Sequence, residues 1–213
     1  MVQKSEGKRR GRPRAYDPDK ALRRAMETFW ERGYAATSLD DLSAAMGMNR
    51  PSLYAAFGDK RALYLKALES YIAASRAGLD VALSVERPLR EALRRVYASA
   101  LSVYLAGANA ARGCLLIGTA ATESVSDPEV RALMANSVRS LDEAFEARIR
   151  FAQERGEVPK IADPAALAKL ASAVLHTLAI RSRAGAPRAA LEATAEAGVD
   201  LICGAPDQSI SGT

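Results

Sequence analysis

The chain has 213 residues, 49% of them hydrophobic and 26% charged, which suits one large globular domain or two small ones and excludes wholesale disorder. Its two cysteines, Cys114 and Cys203, exclude a disulfide framework; with one histidine, His176, they also exclude a four-ligand Cys/His zinc site. No run approaches the roughly 18 apolar residues that span a bilayer, and the charged N-terminus has no apolar leader segment, so a cytoplasmic location is expected.

The net charge of +5 is not spread evenly. Residues 1–16 hold Lys4, Lys8, Arg9, Arg10, Arg12 and Arg14 against Glu6, and the rest of the chain is neutral overall. A basic arm on a neutral body points to a polyanion partner, most often nucleic acid; the plain alternative is a solvated tail. Within the arm, Gly11-Arg12-Pro13-Arg14 is extended by its proline, and arginines favour the narrow, negative minor groove of A·T-rich DNA. This resembles an AT-hook core and makes Arg12 and Arg14 candidate DNA contacts.

Asp17-Pro18 opens the first helical pattern, with Leu22, Ala25, Met26, Phe29 and Trp30 at helix spacing, and Gly33 ends it. Thr37 or Ser38 caps a second helix in a capping box, with Leu42 and Met46 on its apolar face and Gly47 as its stop. Asn49 caps a third helix, Arg50 to Phe57, which buries Leu53 and Phe57. Asp59 caps a long fourth helix with Leu63, Ala67, Tyr71 and Ala74 on one stripe. Residues 88–106 follow as a long helix, then a short apolar piece at 114–123. Ser126 to Glu129 reads as a capping box opening a helix to about Glu154. Residues 164–184 and 187–203 complete a pattern of about nine helices and no strand, an all-α fold. The tail 205–213 has no periodicity and is expected to be disordered.

Three short helices, the last two joined by the turn Met46-Gly47-Met48-Asn49, form a helix-turn-helix pattern. Ala44 or Ala45, with Leu42 and Leu53, would be buried where the two helices cross. Any small three-helix bundle explains the stripes. It does not explain the basic arm, nor Arg50, Ser52 and Tyr54 clustered at the start of a helix, where a recognition helix meets bases and phosphates.

Residues 17–72 resemble the TetR/AcrR family of one-component transcriptional regulators. The resemblance rests on Phe29-x-x-x-Gly33-Tyr34, on Thr37-Ser38, and on Ser52-Leu53-Tyr54-x-x-Phe57-x-x-Lys60; a weaker likeness covers residues 112–122 and the last two helices. It implies that Thr37, Ser38, Tyr54 and Lys60 meet DNA phosphates and that Arg50, Pro51, Ser52 and Ala55 lie against bases. Arg50 is the best specific contact, because arginine can bridge guanine O6 and N7. Ala55 offers at most contact with a thymine methyl. The implied division is an arm at 1–16, a DNA-binding unit at 17–62, a regulatory and dimerisation region at 63–204, and the tail.

In the second region acids pair with arginines at helical spacings, as Glu143 with Arg148 and Glu146 with Arg150, which suggests solvated faces. No phosphate loop and no catalytic constellation is visible, so an enzyme is not expected, and no cofactor or metal is called for. The last two helices carry many alanines beside apolar stripes that include Leu191, Val199, Leu201 and Ile202. The resemblance implies that they pair with their copies in a homodimer on a palindromic operator in double-stranded DNA. It also implies a small-molecule cavity, with Tyr97, Leu101, Tyr104, Cys114, Ile117, Phe145, Ile149 and His176 as candidates by their inward stripes. Cys114 follows Arg112-Gly113 and opens a helix, where dipole and cation favour a thiolate; the segment is similar to that of electrophile-sensing members. The reading is a ligand-released repressor. The alternative is a small-molecule or redox sensor with a vestigial DNA-binding unit.

Overall fold

The computed structural model describes residues 16–106 and 111–204. Among them are nine α-helices, one π-helical turn and no strand. The helices are α1 (Pro18–Arg32), α2 (Leu39–Met46), α3 (Arg50–Phe57), α4 (Lys60–Ala82), α5 (Leu89–Tyr104), α6 (Ala121–Glu123), α7 (Pro128–Glu154), α8 (Pro164–Arg183) and α9 (Arg188–Cys203), with the π-helical turn at Leu116–Ala120.

Short polar side chains start most of these helices by accepting hydrogen bonds from first-turn N–H groups. Asp17, Asn49, Asp59 and Asp163 do so for α1, α3, α4 and α8. Ser38 caps α2 in a full capping box with Asp41. Gly47 takes the left-handed conformation (φ 66°, ψ 34°) between α2 and α3, which a Cβ would strain; this sets the sharp helix-turn-helix corner. At α7 the expectation changes. Asp127, not Ser126, is the cap and accepts from Glu129 and Val130 N–H, because Pro128 occupies the first turn and the longer carboxylate reaches both donors.

Two apolar cores result. The first joins α1, α2, α3 and the N-terminal half of α4 around Phe29, Leu42, Leu53 and Tyr64, and takes in Leu115, Leu116 and Val130 from the second region. Each such fully buried side chain contributes about 1.5–3 kcal/mol of transfer free energy. The second core lies between α5, α7, α8 and α9 around Leu93, Tyr97, Phe145, Leu178 and Val199. The position 62/63 thus falls inside α4, whose residues as far as Tyr71 belong to the first core. Ala44 is exposed and Ala45 half-buried, so Leu42, Met46 and Met48 do the packing at the α2–α3 corner; Ala74 is exposed too.

Arg148 departs most from its expected solvated place. It is 3% exposed; its Nη2 donates to Arg87 O at 2.6 Å, and Glu157 lies 3.8 Å away. Glu143 pairs with Arg139 instead, while Glu146 and Arg150 pair at the surface as expected.

Candidate nucleic-acid interface

The first turns of α2 and α3 meet at one ion pair. Arg50, the first residue of α3, donates from Nε to Asp40 Oδ1 at 2.8 Å and from Nη2 to Asp40 Oδ2 at 2.6 Å. Asn49 accepts from Ser52 N–H at 2.9 Å, which fixes the helix start. Leu53 and Phe57 turn α3 inward, leaving Arg50, Pro51, Tyr54 and Ala55 exposed on the opposite face and Ser52 half-buried beside them.

At the start of α2 the exposed Ser38 gives its hydroxyl hydrogen to Asp41 Oδ2 at 2.6 Å and accepts from Asp41 N–H at 3.1 Å. These bonds from Ser38, with the nearby Arg32, hold the Asp41 carboxyl below the usual carboxylate range. Thr37 is buried, and its hydroxyl donates to Gly33 O at 2.6 Å, so that oxygen fastens the end of α1. Lys60 rests its ammonium 4.3 Å from the centre of the Tyr34 ring, a cation–π contact that aims it from the start of α4. Arg12 and Arg14 lie outside the described residues.

Arg50 and Lys60 are thus cations at the starts of α3 and α4, each in contact with a partner elsewhere in the unit. Sequence spacing did not pair Asp40 with Arg50, nor Tyr34, a residue of the Phe29-x-x-x-Gly33-Tyr34 signature, with Lys60. Their partners lie on other elements, ten and 26 residues away, where no helical period links them.

Residues 21–67 match the model of bacterial regulatory proteins of the tetR family, and residues 89–197 match the tetracyclin repressor-like C-terminal domain. The transcriptional repressor ComR of Escherichia coli is 31% identical over 179 residues, 84% of this chain and 85% of ComR. The chain belongs to the TetR family of transcriptional regulators. YezE of Bacillus subtilis, an uncharacterised regulator of the same helix-turn-helix type, is 32% identical over 70% of this chain and 76% of its own. Among solved structures, a TetR-family regulator, CifR, in complex with 26-base-pair operator DNA superposes with a TM-score of 0.75 at 32% identity, covering 88% of this chain and 98% of CifR. The protein is a DNA-binding transcriptional regulator.

This regulator also contains a cavity of about 250 Å³ between α4, α5, α7 and α8. Tyr104, Cys114, Ile117 and His176 line it, together with Tyr71 of α4. Tyr97, Leu101, Phe145 and Ile149 do not; they fill the second core beside it, and Tyr97 gives its hydroxyl hydrogen to Ala171 O at 3.3 Å. An inward stripe holds both kinds of residue, since one edge faces the cavity and the other the neighbouring helix.

Burial raises the Tyr71 hydroxyl well above its usual pKa, and that hydroxyl donates to Cys114 Sγ at 3.3 Å. Burial likewise raises Tyr104 and pushes His176 below its ordinary value near 6.5, so its imidazole is neutral at pH 7. Arg76, at the rim, is committed to Asp80 at 2.8 Å and to Ser140. The interior is apolar and carries no free charge among the described residues. Cys114 stands directly before Leu115, where the helical turn begins. The Arg112 guanidinium lies 3.9 Å above the Trp30 ring, and Arg112 Nε donates to Val103 O; the cation expected to act on Cys114 is engaged there instead.

Trp30 joins the two regions. Its indole N–H points at Arg112 O (3.1 Å) and Gly113 O (3.2 Å), and its ring meets Tyr71 edge-on with centroids 4.9 Å apart. No described helix is long and apolar enough to cross a membrane.

Proposed function

We propose that this regulator is a homodimeric repressor, acting in the cytoplasm, that an uncharged and mainly apolar small molecule releases from a palindromic operator. One observation carries the reading: the cavity and the DNA-binding unit share a wall. Tyr71 lines the cavity and packs on Trp30, and Cys114 follows the carbonyl that Trp30 holds. A ligand that binds better when Tyr71 or the 112–114 backbone has moved must shift α1 and α4, and an effector works only through such a difference in affinity. The volume exceeds the roughly 150 Å³ that accommodates benzene, and the neutral lining disfavours an ion.

In this reading Arg50, Pro51, Ser52 and Ala55 lie against bases in the major groove. Ser38, the backbone at Thr37, Tyr54 and Lys60 meet phosphates, and Arg12 and Arg14 reach the minor groove from the arm. The exposed apolar residues Ile180 of α8 and Leu201 of α9, with Ala173 and Ala197, form the dimer face. Selection of bound sequences from random duplex DNA tests it. A palindrome with half-site centres about one helical turn apart is the expected product. Addition of apolar compounds to that complex should then dissociate it. Enrichment of no palindrome overturns the dimeric, site-specific reading.

A second reading, covalent sensing through Cys114, is supported by that thiol's place on the cavity wall. The DNA-bound CifR is itself a cysteine-substituted variant. Iodoacetamide should release wild-type protein from the selected operator and spare Cys114→Ser. Equal release of both removes the reading.

A further inference from the structure

The pair between Arg50 and Asp40 joins two side chains that are 54% and 75% exposed. An exposed ion pair contributes little to stability. An acid on a surface that meets DNA also opposes phosphate. Its partner, however, is held by two parallel hydrogen bonds on one edge of the guanidinium, the edge made by Nε and Nη2. That leaves the end edge, with one N–H from each of Nη1 and Nη2, directed by the carboxylate and without a partner among the described residues. Two parallel donors at that edge match guanine O6 and N7 in the major groove. Arg50 is the first residue of α3, so its long side chain would otherwise sample many rotamers over the groove. Asp40 is the second residue of α2, a helix whose own start is fixed by Ser38 and Asp41, and Asp41 is in turn held by Arg32 at 2.5 Å.

We infer that Asp40 is a positioning residue for base recognition: it clamps the Arg50 guanidinium side-on and thereby makes a guanine in each half-site the preferred base. The inference rests on the base-contact role proposed for Arg50. It adds that specificity at this position belongs to the pair and not to the arginine alone. A carboxylate ten residues upstream, on the neighbouring helix, thus sets sequence preference without touching a base.

Selection from random duplex DNA at one fixed salt concentration tests this with the full-length protein, Arg50→Ala, Asp40→Ala, Asp40→Asn and Asp40→Glu. All substitutions lie at exposed positions, and thermal unfolding is measured in parallel. The wild type should prefer guanine over adenine about ten-fold or more at one position per half-site. Arg50→Ala should lose that preference at that position only. Asp40→Ala and Asp40→Asn should lower it there at least about three-fold, a fraction of that discrimination. They should leave preferences elsewhere and the melting temperature unchanged, with Asp40→Glu restoring part of it. A purely structural Asp40 would instead lower affinity for all sequences together. An acid that merely competes with DNA for Arg50 would give tighter binding to all sequences with the preference intact. Either pattern, or an Asp40→Ala profile identical to wild type, overturns the inference. If Arg50→Ala changes no position, the base-contact role is at fault and the clamp falls with it.

Discussion

Trp30 is held on three sides: its N–H faces two carbonyls, Arg112 covers one face, and Tyr71 meets the ring edge-on. Trp30→Phe keeps an aromatic ring there but removes the donor. Arg112 O retains the Arg183 guanidinium at 3.1 Å, whereas Gly113 O loses the indole N–H. A buried carbonyl left without that donor should cost about 1–2 kcal/mol, read as a lower urea midpoint by circular dichroism. In addition, effector should release Trp30→Phe from operator less efficiently than wild type, because the wall between cavity and α1 is looser. At this scale the sequence discloses unevenly. Leu42, Leu53 and Phe57 are legible as core from spacing alone. The bond from Trp30 spans 82 residues, and no periodicity carries information over that distance.

Single positions also govern how elements meet. Where α9 crosses α8, a Cβ on Gly198 would stand 2.7 Å from Val174 Cγ2. Valine on a helix has essentially one rotamer, so it cannot turn aside. Gly198→Ala gains about 1 kcal/mol of helix propensity but forces the helices apart at a cost of about 1–3 kcal/mol, so a net loss of melting temperature is expected. At the head of α7, Arg61 of α4 grips Asp127 at 2.6 Å and Glu129 at 2.8 Å. The Arg61 bonds hold the Asp127 carboxyl at about 2, against an ordinary value near 3.9. The folded chain favours the charged form, so this support is complete above about pH 4 and disappears as pH falls toward 2. Asp127→Asn keeps a capping oxygen and lacks the charge. Its melting temperature should lie below wild type at neutral pH and converge with it near pH 2. Helix starts were legible because a cap and its first-turn proline are neighbours in sequence. The choice of Asp127 over Ser126 was not, since both fit the pattern and only side-chain reach decides. The π-helical turn at Leu116–Ala120 was invisible too: it sits in an apolar run and is shaped by tertiary neighbours, including the Arg183 guanidinium pressed against Gly118.

Across the whole molecule, two cores share a seam at residues 112–116, and α8 and α9 expose Ile180 (56%) and Leu201 (71%). Glutamate at Ile180 together with glutamate at Leu201 should convert a dimer to a monomer in light scattering and weaken operator binding by about 100-fold or more, since the second half-site is no longer tethered to the first. The all-α plan and the helix-turn-helix were readable from caps, glycines and stripes. The cavity wall was not fully readable, because Tyr97 and Tyr104 share one stripe of α5 and only the packing of α4 and α8 divides them between core and cavity. The chain contains a single tryptophan, and it stands at that seam, one aromatic contact from the cavity. Its ultraviolet emission is therefore a built-in optical gauge of cavity occupancy. Titrating apolar compounds while watching the emission maximum should identify effectors without label, operator or reporter gene, and a compound that dissociates the DNA complex while leaving the spectrum unmoved must act somewhere else.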